Sequence, residues 1–397
     1  MNNKNKKRAK HFSYIVMLVL LLGILSSIVY MVDKVHSKNK GNTENKNISH
    51  KNTEDKPKNN QDGKNKVEEK KKVEEKKPEE KKADTSTEIL LSFAGDCTIG
   101  NDPKFSGETL PVVLANKGMD YSYFFKNVSP YFKNDDMTIV NLETTFTNSN
   151  NKVQKAFNFK APPSYVKSLT LGSIEAVNIA NNHIYDYNEK GFIDTKETLK
   201  GEKINFFGEG TIFKTTIKGK KFAFLGYQGW EGSIDFSKLK TEITELKKEG
   251  CIVIINFHWG IERQYHPIGF QKKLAKFSID NGADLIVGHH PHVVQGIETY
   301  KGKYIAYSLG NFCFGGNTNP SDKDTFIMQT NFKFKNDTLV ETGFKAIPCR
   351  VSSVTYKNDY CPTPLKENEK NRVLNKINSV SPNSGFKISE EFHYEKH

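Results

Sequence analysis

The sequence predicts an α/β domain in which strands and helices alternate and the chemistry sits at strand ends. Three observations carry this expectation. Apolar runs of strand length recur at Ile89–Phe93, Thr138–Val140, Ala176–Ile179, Phe222–Leu225, Ile252–Phe257 and Leu285–Val287. Helical spacing separates several of them, as at Lys190–Lys200 and Gln271–Asn281, with Gly201 and Gly282 placed as helix-ending glycines. The last two runs each stop in histidine, first at His258 and then at His289, His290 and His292.

The 397 residues fit one large domain with tails. Residues 1–11 hold Lys4, Lys6, Lys7, Arg8 and Lys10, and from Phe12 to Val32 no charge occurs. Twenty-one helical residues span about 31 Å, enough to cross a bilayer core. The basic flank predicts a cytoplasmic N-terminus, a signal anchor over 12–32 and everything after Asp33 outside the cell. A cleavable signal peptide fits less well, because its apolar region is usually shorter and no small-x-small site follows.

Residues 33–87 are a Lys/Glu-rich linker, with KVEEKKKVEEKKPEEKK at Lys66–Lys82. Such a stretch cannot bury enough apolar surface to offset its ordering entropy, so disorder is expected. The globular domain is placed at 88–350. Beyond Gly316, alternation at Phe326–Phe334 and Thr338–Ile347 predicts antiparallel strands and gives the fold an α+β-like character. Residues 351–397 are set apart as a C-terminal extension.

The net charge of +13 lies mostly outside the domain. Residues 33–87 hold sixteen lysines against twelve acidic residues, and from residue 88 on the balance is 38 basic to 34 acidic. A mildly basic domain gives no support to nucleic-acid binding and suits a polyanionic partner. Five widely spaced cysteines form no metal-ribbon pattern. Pairing of Cys349 with Cys361 stays open, and buried free thiols are the simpler expectation.

Each principal strand ends in a ligand-type residue. ILLSFAGD ends in Asp96, TIVNLE in Asn141 and Glu143, and EAVNIANNH in Asn181, Asn182 and His183, with Asp186 following. IVIINFHWG supplies His258, and ADLIVGHHPH the histidine cluster. Each residue alone has an ordinary explanation. Asp96 could cap a turn, Glu143 pair with a lysine, Asn182 occupy a left-handed position, and Asp186 cap a helix. Parallel strands gather such ends at one sheet edge, and that shared placement favours a site. Carboxylate, amide and imidazole ligands without thiolate suit Mn²⁺, Mg²⁺, Fe or Zn²⁺.

Several stretches between Leu91 and Gly316 resemble the CapA-type capsule-synthesis family, including the PgsA-like subunits of poly-γ-glutamate synthesis. They are AGDCTIG, VNLETTFT, FNFKAPP, NIANNHIYDYNEKGFIDTKETL, FHWGIE followed by Pro267 and Gln271, and NGADLIVGHHPHVVQGIETYKGKYIAYSLGNFCFGG. The resemblance implies a metallophosphoesterase-like β-sandwich flanked by helices, with a divalent metal at strand ends. Asp96, Glu143, Asn182, His258 and two of His289, His290 and His292 would then bind metal. His183 would be the proton donor, with Asp186 beside it. Asn141, Trp259, Glu262, Arg263 and Asn311 would contact substrate, with Tyr307 as a further aromatic at the pocket.

The chain departs from that pattern at named positions. Cys97 and Thr98 follow Asp96 where Asp-x-His is usual, so one imidazole ligand is missing, and Glu143 stands where aspartate is expected. Asn188 replaces a glycine, and Arg263 a frequent tyrosine. The resemblance implies a membrane-anchored extracellular protein of capsule or poly-γ-glutamate synthesis or export. Its partners would be an anionic polymer such as poly-γ-glutamate and membrane synthase subunits. Three roles follow: a metal-dependent enzyme that hydrolyses or transfers the polymer, a non-catalytic assembly or polymer-binding subunit, or an extracytoplasmic metallophosphoesterase.

Overall fold

The computed structural model describes residues 85–397. The expected cytoplasmic segment, signal anchor and nearly all of the linker lie outside the described residues. Within them, no helix is long and apolar enough to cross a membrane. Ordered structure starts two residues before the expected boundary, because β1 begins at Ser86.

The first half of the chain gives β1 (Ser86–Thr98), α1 (Leu110–Asn116), α2 (Ser129–Phe132), β2 (Met137–Leu142), β3 (Thr145–Phe146) and β4 (Lys160–Ala161). Then come α3 (Lys167–Leu171), β5 (Ala176–Asn178), α4 (Asn188–Gly201) and β6 (Asn205–Phe207). The middle of the chain holds β7 (Phe213–Ile217), β8 (Lys220–Gly229), α5 (Phe236–Lys248), β9 (Ile252–Trp259), α6 (Gly269–Asp280) and β10 (Leu285–His289). It closes with β11 (Ile297–Tyr300), β12 (Lys303–Ala306), β13 (Asn311–Phe314), β14 (Asp324–Lys335), β15 (Thr338–Arg350), β16 (Thr363–Pro364), α7 (Glu367–Ser379) and β17 (His393–Lys396).

Among the described residues these strands form a nine-stranded sheet, a six-stranded sheet and a two-stranded ribbon. In the larger sheet β1, β2, β5 and β6 run parallel, and β14 and β15 extend it antiparallel, as the alternating sequence there predicts. In the smaller sheet β8, β9, β10 and β12 run parallel between antiparallel edges β7 and β11.

Both sheets bury their facing sides against each other. Ile89, Leu91 and Phe93 of β1 share one apolar cluster with Phe222 and Phe224 of β8 and Ile254 of β9. The outer face of the larger sheet packs on α1, α3 and α4 through residues such as Leu114, Leu169 and Leu199. The outer face of the smaller one packs on α5 and α6 through Leu239, Ile243 and Leu274. Helices therefore cover both outer faces of a two-sheet sandwich.

This layering corrects one expectation directly. The ligand-type strand ends belong to two sheets, with Asp96, Asn141 and Asn178 in one and His258 and His289 in the other. The sheets approach closely at this end: a Cβ on Gly226 of β8 would lie 2.1 Å from the Asn178 side-chain oxygen. The helix endings differ too. Gly282 (φ 114°) follows α6 as expected, but Gly201 lies within α4 and Lys203 (φ 60°) takes the left-handed conformation.

Residues 351–397 are built into the sandwich. β16 and β17 pair with β15, and α7 sends Val373 and Ile377 into the core between the sheets. Arg372 donates two bonds to Asp324 at 2.9 and 2.7 Å, and Lys376 reaches both Asp322 and Asp324. Burial opposes ionisation of Asp324, but these cations outweigh it and hold its carboxyl below the usual range. Ile377→Ala is expected to lower unfolding free energy by roughly 2–5 kcal/mol in a urea titration. Asp324→Asn should destabilise at pH 7, since a depressed carboxyl stabilises above its unfolded value of about 3.9. That difference should shrink as pH falls further; an effect constant from pH 7 to 3 would rule out the ion-pair origin.

Candidate metal centre

β1 ends in a bulge. Its register with β2 shifts between Ala94 and Asp96, and a Cβ on Gly95 would sit 1.9 Å from the Gly310 carbonyl oxygen. Only glycine admits that approach, and such bulges re-aim the following side chain. Asp96 is thereby turned into the sandwich with no exposure. Its Oδ1 accepts from Asn141 Nδ2 at 2.8 Å and its Oδ2 from the His290 backbone amide at 3.2 Å. His292 Nδ1 lies 3.3 Å from Oδ2.

Glu143 follows β2, held by its amide donating to the Cys97 carbonyl at 3.0 Å. It is fully buried, and neither carboxylate oxygen has a hydrogen-bond partner. His258 Nε2 stands 3.4 Å from Oε1 and His292 Nε2 3.8 Å from it. An unpartnered buried carboxylate is costly, and a cation is what this surrounding lacks. His290 adds a further unsatisfied atom, its buried Nδ1.

Amides fix the imidazoles. Asn141 Nδ2 lies 3.2 Å from His258 Nδ1, and Asn182 Oδ1 lies 2.8 Å from His258 Nε2. Asn178 Nδ2 donates to Asn141 Oδ1 at 2.9 Å, which orients that amide. Asn311 holds His292 twice, through Nδ1 at 2.9 Å and the backbone carbonyl at 3.1 Å. His290 (φ 94°) and His292 (φ 57°) both occupy backbone regions that side chains rarely adopt, a strain that persists only where surroundings enforce it.

Charge in the cluster is divided unevenly. Burial would raise the Asp96 carboxyl, but the His292 bond, the charges of His292 and His289, and the Asn141 bond hold it low. Burial, with the Asp96 charge added, lifts Glu143 well above the usual range. Burial also depresses the imidazoles of His258, of His289 to about 4, and of His290 to about 3. Against the same burial, Glu143 and Asp96 raise His292 to about 9.

The ligand atoms gather in three overlapping trios, each within 4.8 Å: Glu143, His258 and His290; Asp96, Glu143 and His292; and Glu262, His290 and His292. The donor set is oxygen and nitrogen without thiolate, so the residues present fit a divalent cation. His289 joins none of these trios. Its Nε2 lies 3.2 Å from Asn256 Oδ1 and its Nδ1 3.6 Å from Asp96, which places it behind the carboxylate.

His183 and Asp186 form a pair beside this cluster, Nδ1 to Oδ2 at 2.7 Å. Asp186 also accepts from the Phe159 amide at 2.5 Å and pairs with Lys155, which donates to the Asn182 carbonyl at 2.7 Å. The Phe159 ring packs 4.2 Å from the His183 ring. His183 and His292 line an open cleft, with Phe157, Glu262 and Arg263 at its walls.

The remaining expected substrate contacts divide. Glu262, Arg263 and Asn311 line the cleft. Asn141 is wholly buried and bonded to Asp96, so it positions ligands where substrate contact was expected. Trp259 is also wholly buried, in the cluster beneath α5 and α6, donating to the Tyr307 carbonyl at 2.8 Å. Tyr307 shares that core. Trp230 is an aromatic that does meet the histidines, 4.7 Å from His290 and 6.1 Å from His258. Trp230 directly follows β8, so the strand-end rule would have found it had that strand been drawn four residues longer. Asn178 likewise ends a strand, whereas Lys155 carries no local signal.

Residues 90–316, which include every member of this cluster, match the family model described as bacterial capsule synthesis protein PGA_cap. A capsule biosynthesis protein CapA of Bacillus anthracis is 31% identical over 282 residues, covering 64% of this chain and 66% of that protein. A PGA biosynthesis protein CapA of Bacillus subtilis (strain 168) is 30% identical over 323 residues, covering 75% and 80%. A probable polyglutamine synthesis accessory protein of Mycobacterium tuberculosis (strain H37Rv) is 26% identical over 208 residues, covering 44% and 55%.

The unpartnered carboxylate makes a two-signed prediction. In chelator at pH 7, Glu143→Gln should melt higher than the unaltered protein, because burial opposes in the native state an ionisation that the unfolded chain gains freely. With excess Mn²⁺ the order should reverse, because binding to the native state alone adds stability. Melting curves that show no reversal would mean that Glu143 does not ligate.

Proposed function

The chain belongs to the bacterial capsule synthesis protein family PGA_cap, and on that footing we propose that it is a membrane-anchored extracellular enzyme of capsule or poly-γ-glutamate biosynthesis. It acts on the polymer through a divalent-metal site, by hydrolysis or by transfer to an acceptor. A metallophosphoesterase-like character of the sandwich is part of this proposal. So is the anchor at 12–32, which would hold the domain beside membrane synthase subunits. One observation carries the enzymatic reading: the unpartnered Glu143, ringed by His258, His290 and His292, adjoins a cleft lined by His183, which the buried Asp186 orients.

Asp96, Glu143, His258, His290 and His292 would hold the metal, with Asn182 beside His258. When bound, it polarises a carbonyl or phosphoryl oxygen and activates water. Asp186 keeps the Nδ1 proton of His183 in place, which leaves Nε2 to take a proton and return it to the leaving atom. Phe159 packs on the imidazole and limits its rotation. Arg263, at the cleft wall, is suited to a carboxylate of an anionic chain.

His183→Asn is expected to slow polymer cleavage or transfer about a hundredfold or more, measured as change in polymer chain length with purified protein and Mn²⁺. Bound metal should be unaltered in that variant. In a producing cell, His183→Asn and Asp96→Asn should each reduce surface polymer at equal protein level. Undiminished capsule with both variants would sink the enzymatic role and leave that of an assembly subunit.

A further inference from the structure

The cleft at His183 does not end at its own rim. A second hollow opens beside it and shares Phe157, Gly316 and Asn317 as lining, while Lys104, Phe105 and Ser106 belong to the second hollow alone. The two make one groove with Phe157 at the join. The Phe157 ring is 47% exposed, although a phenyl ring gains nothing from water. The rings of Phe105, Phe157 and Phe159 form a cluster with centroids 6.0, 6.4 and 6.5 Å apart, and Phe159 in turn packs on His183. Gly316 leaves room for aromatic rings at the join: a Cβ there would sit 2.6 Å from the Phe314 ring and 3.1 Å from the Phe159 ring.

A cation is fixed at the outer end of this groove. Lys104 Nζ stands 4.3 Å from the Phe157 ring centroid and donates to the Ala156 carbonyl. The Lys104 and Asn158 amides donate to the buried Asp102 carboxylate at 3.0 and 2.9 Å. One interior side chain thus ties the lysine to the loop that carries Phe157. Asp102 Oδ2 also lies 3.4 Å from Nζ, on its buried side. Half of the lysine side chain stays exposed, and an ammonium with three donors keeps one for a ligand.

We infer that Lys104, Phe105 and Phe157 form a polymer subsite that continues the cleft. Its ligand is a polyamide with methylenes in the main chain and a carboxylate on each repeat, the chemistry of γ-linked polyglutamate. This rests on the polymer reading proposed above and adds to it both a set of residues and a means of discrimination. Phenyl rings offer neither donor nor acceptor, so sugar hydroxyls laid on them would lose hydrogen bonds to water. Methylenes lose nothing there and gain burial. The carboxylate of the same repeat meets Lys104, and Arg263 at the inner cleft wall is placed for that of another.

The test titrates the full chain, in detergent, with fluorescently labelled poly-γ-glutamate and with hyaluronate as an acidic polysaccharide. The unaltered protein should bind poly-γ-glutamate, and more tightly than hyaluronate. Lys104→Ala and Phe157→Ala, both at exposed positions, should each weaken that binding about tenfold with the melting temperature unaltered. Lys104→Arg should bind as the unaltered protein does, and Lys104→Ala should flatten the decline of affinity with salt, neither of which a folding defect would produce. Unchanged poly-γ-glutamate affinity in both alanine variants would overturn the inference and leave the polymer reading standing. Tighter binding of hyaluronate would also overturn it. No binding of poly-γ-glutamate by the unaltered protein would sink the polymer reading itself.

Discussion

Two carboxylates buried within reach of the same imidazole constrain the rest of this structure. Asp96 and Glu143 have no exposure, and His292 faces both. Burying a charge without a partner is far more costly than any surface ion pair is stabilising. The fold answers the two unequally. Asp96 receives Asn141, the His290 amide and His292, whereas Glu143 receives no hydrogen bond at all. A cation at Glu143 would resolve that imbalance, and the imidazoles carried by β9 and the loop after β10, all of the smaller sheet, are placed to share it.

The supporting shell follows from the same need. Asn178 orients Asn141, which lies against both Asp96 and His258 and so joins the ligands of one sheet to those of the other. The glycine at 226 lets the sheets approach until that chain of amides closes. Farther out, Lys376 and Tyr265 hold Asp322, which lines the cleft, and Arg372 and Lys376 hold Asp324 two residues on. The C-terminal helix thus braces a wall of the cleft, which makes residues 351–397 part of the functional unit.

Much of this was legible in the sequence, because strands that end in ligand-type residues leave a mark. Asp96, Asn141, Glu143, Asn182 and the histidines were each visible there, and they do converge. What stayed hidden depends on layers. Alternation along β9 puts His258 and Trp259 on opposite faces, but sequence cannot say which face is the site, so Trp259 was assigned to substrate and Trp230 was missed. The glycines of β8 obscured its end, since glycine reads as a break where it in fact serves a close approach. Among three adjacent histidines, only backbone conformation decides that His290 and His292 join the ligand trios while His289 turns to Asn256. Lys155 comes from a loop far from Asp186 in sequence, and no local pattern predicts that pairing.

We propose that Glu143 lacks a partner because a cation binds there. Anomalous diffraction from crystals grown with Mn²⁺, recorded on both sides of the manganese edge, tests it directly. The predicted result is a peak bonded to Glu143 and shared with His258, His290 or His292. A map with no anomalous peak at Glu143, with His292 closed onto its carboxylate in saturating Mn²⁺, would contradict it.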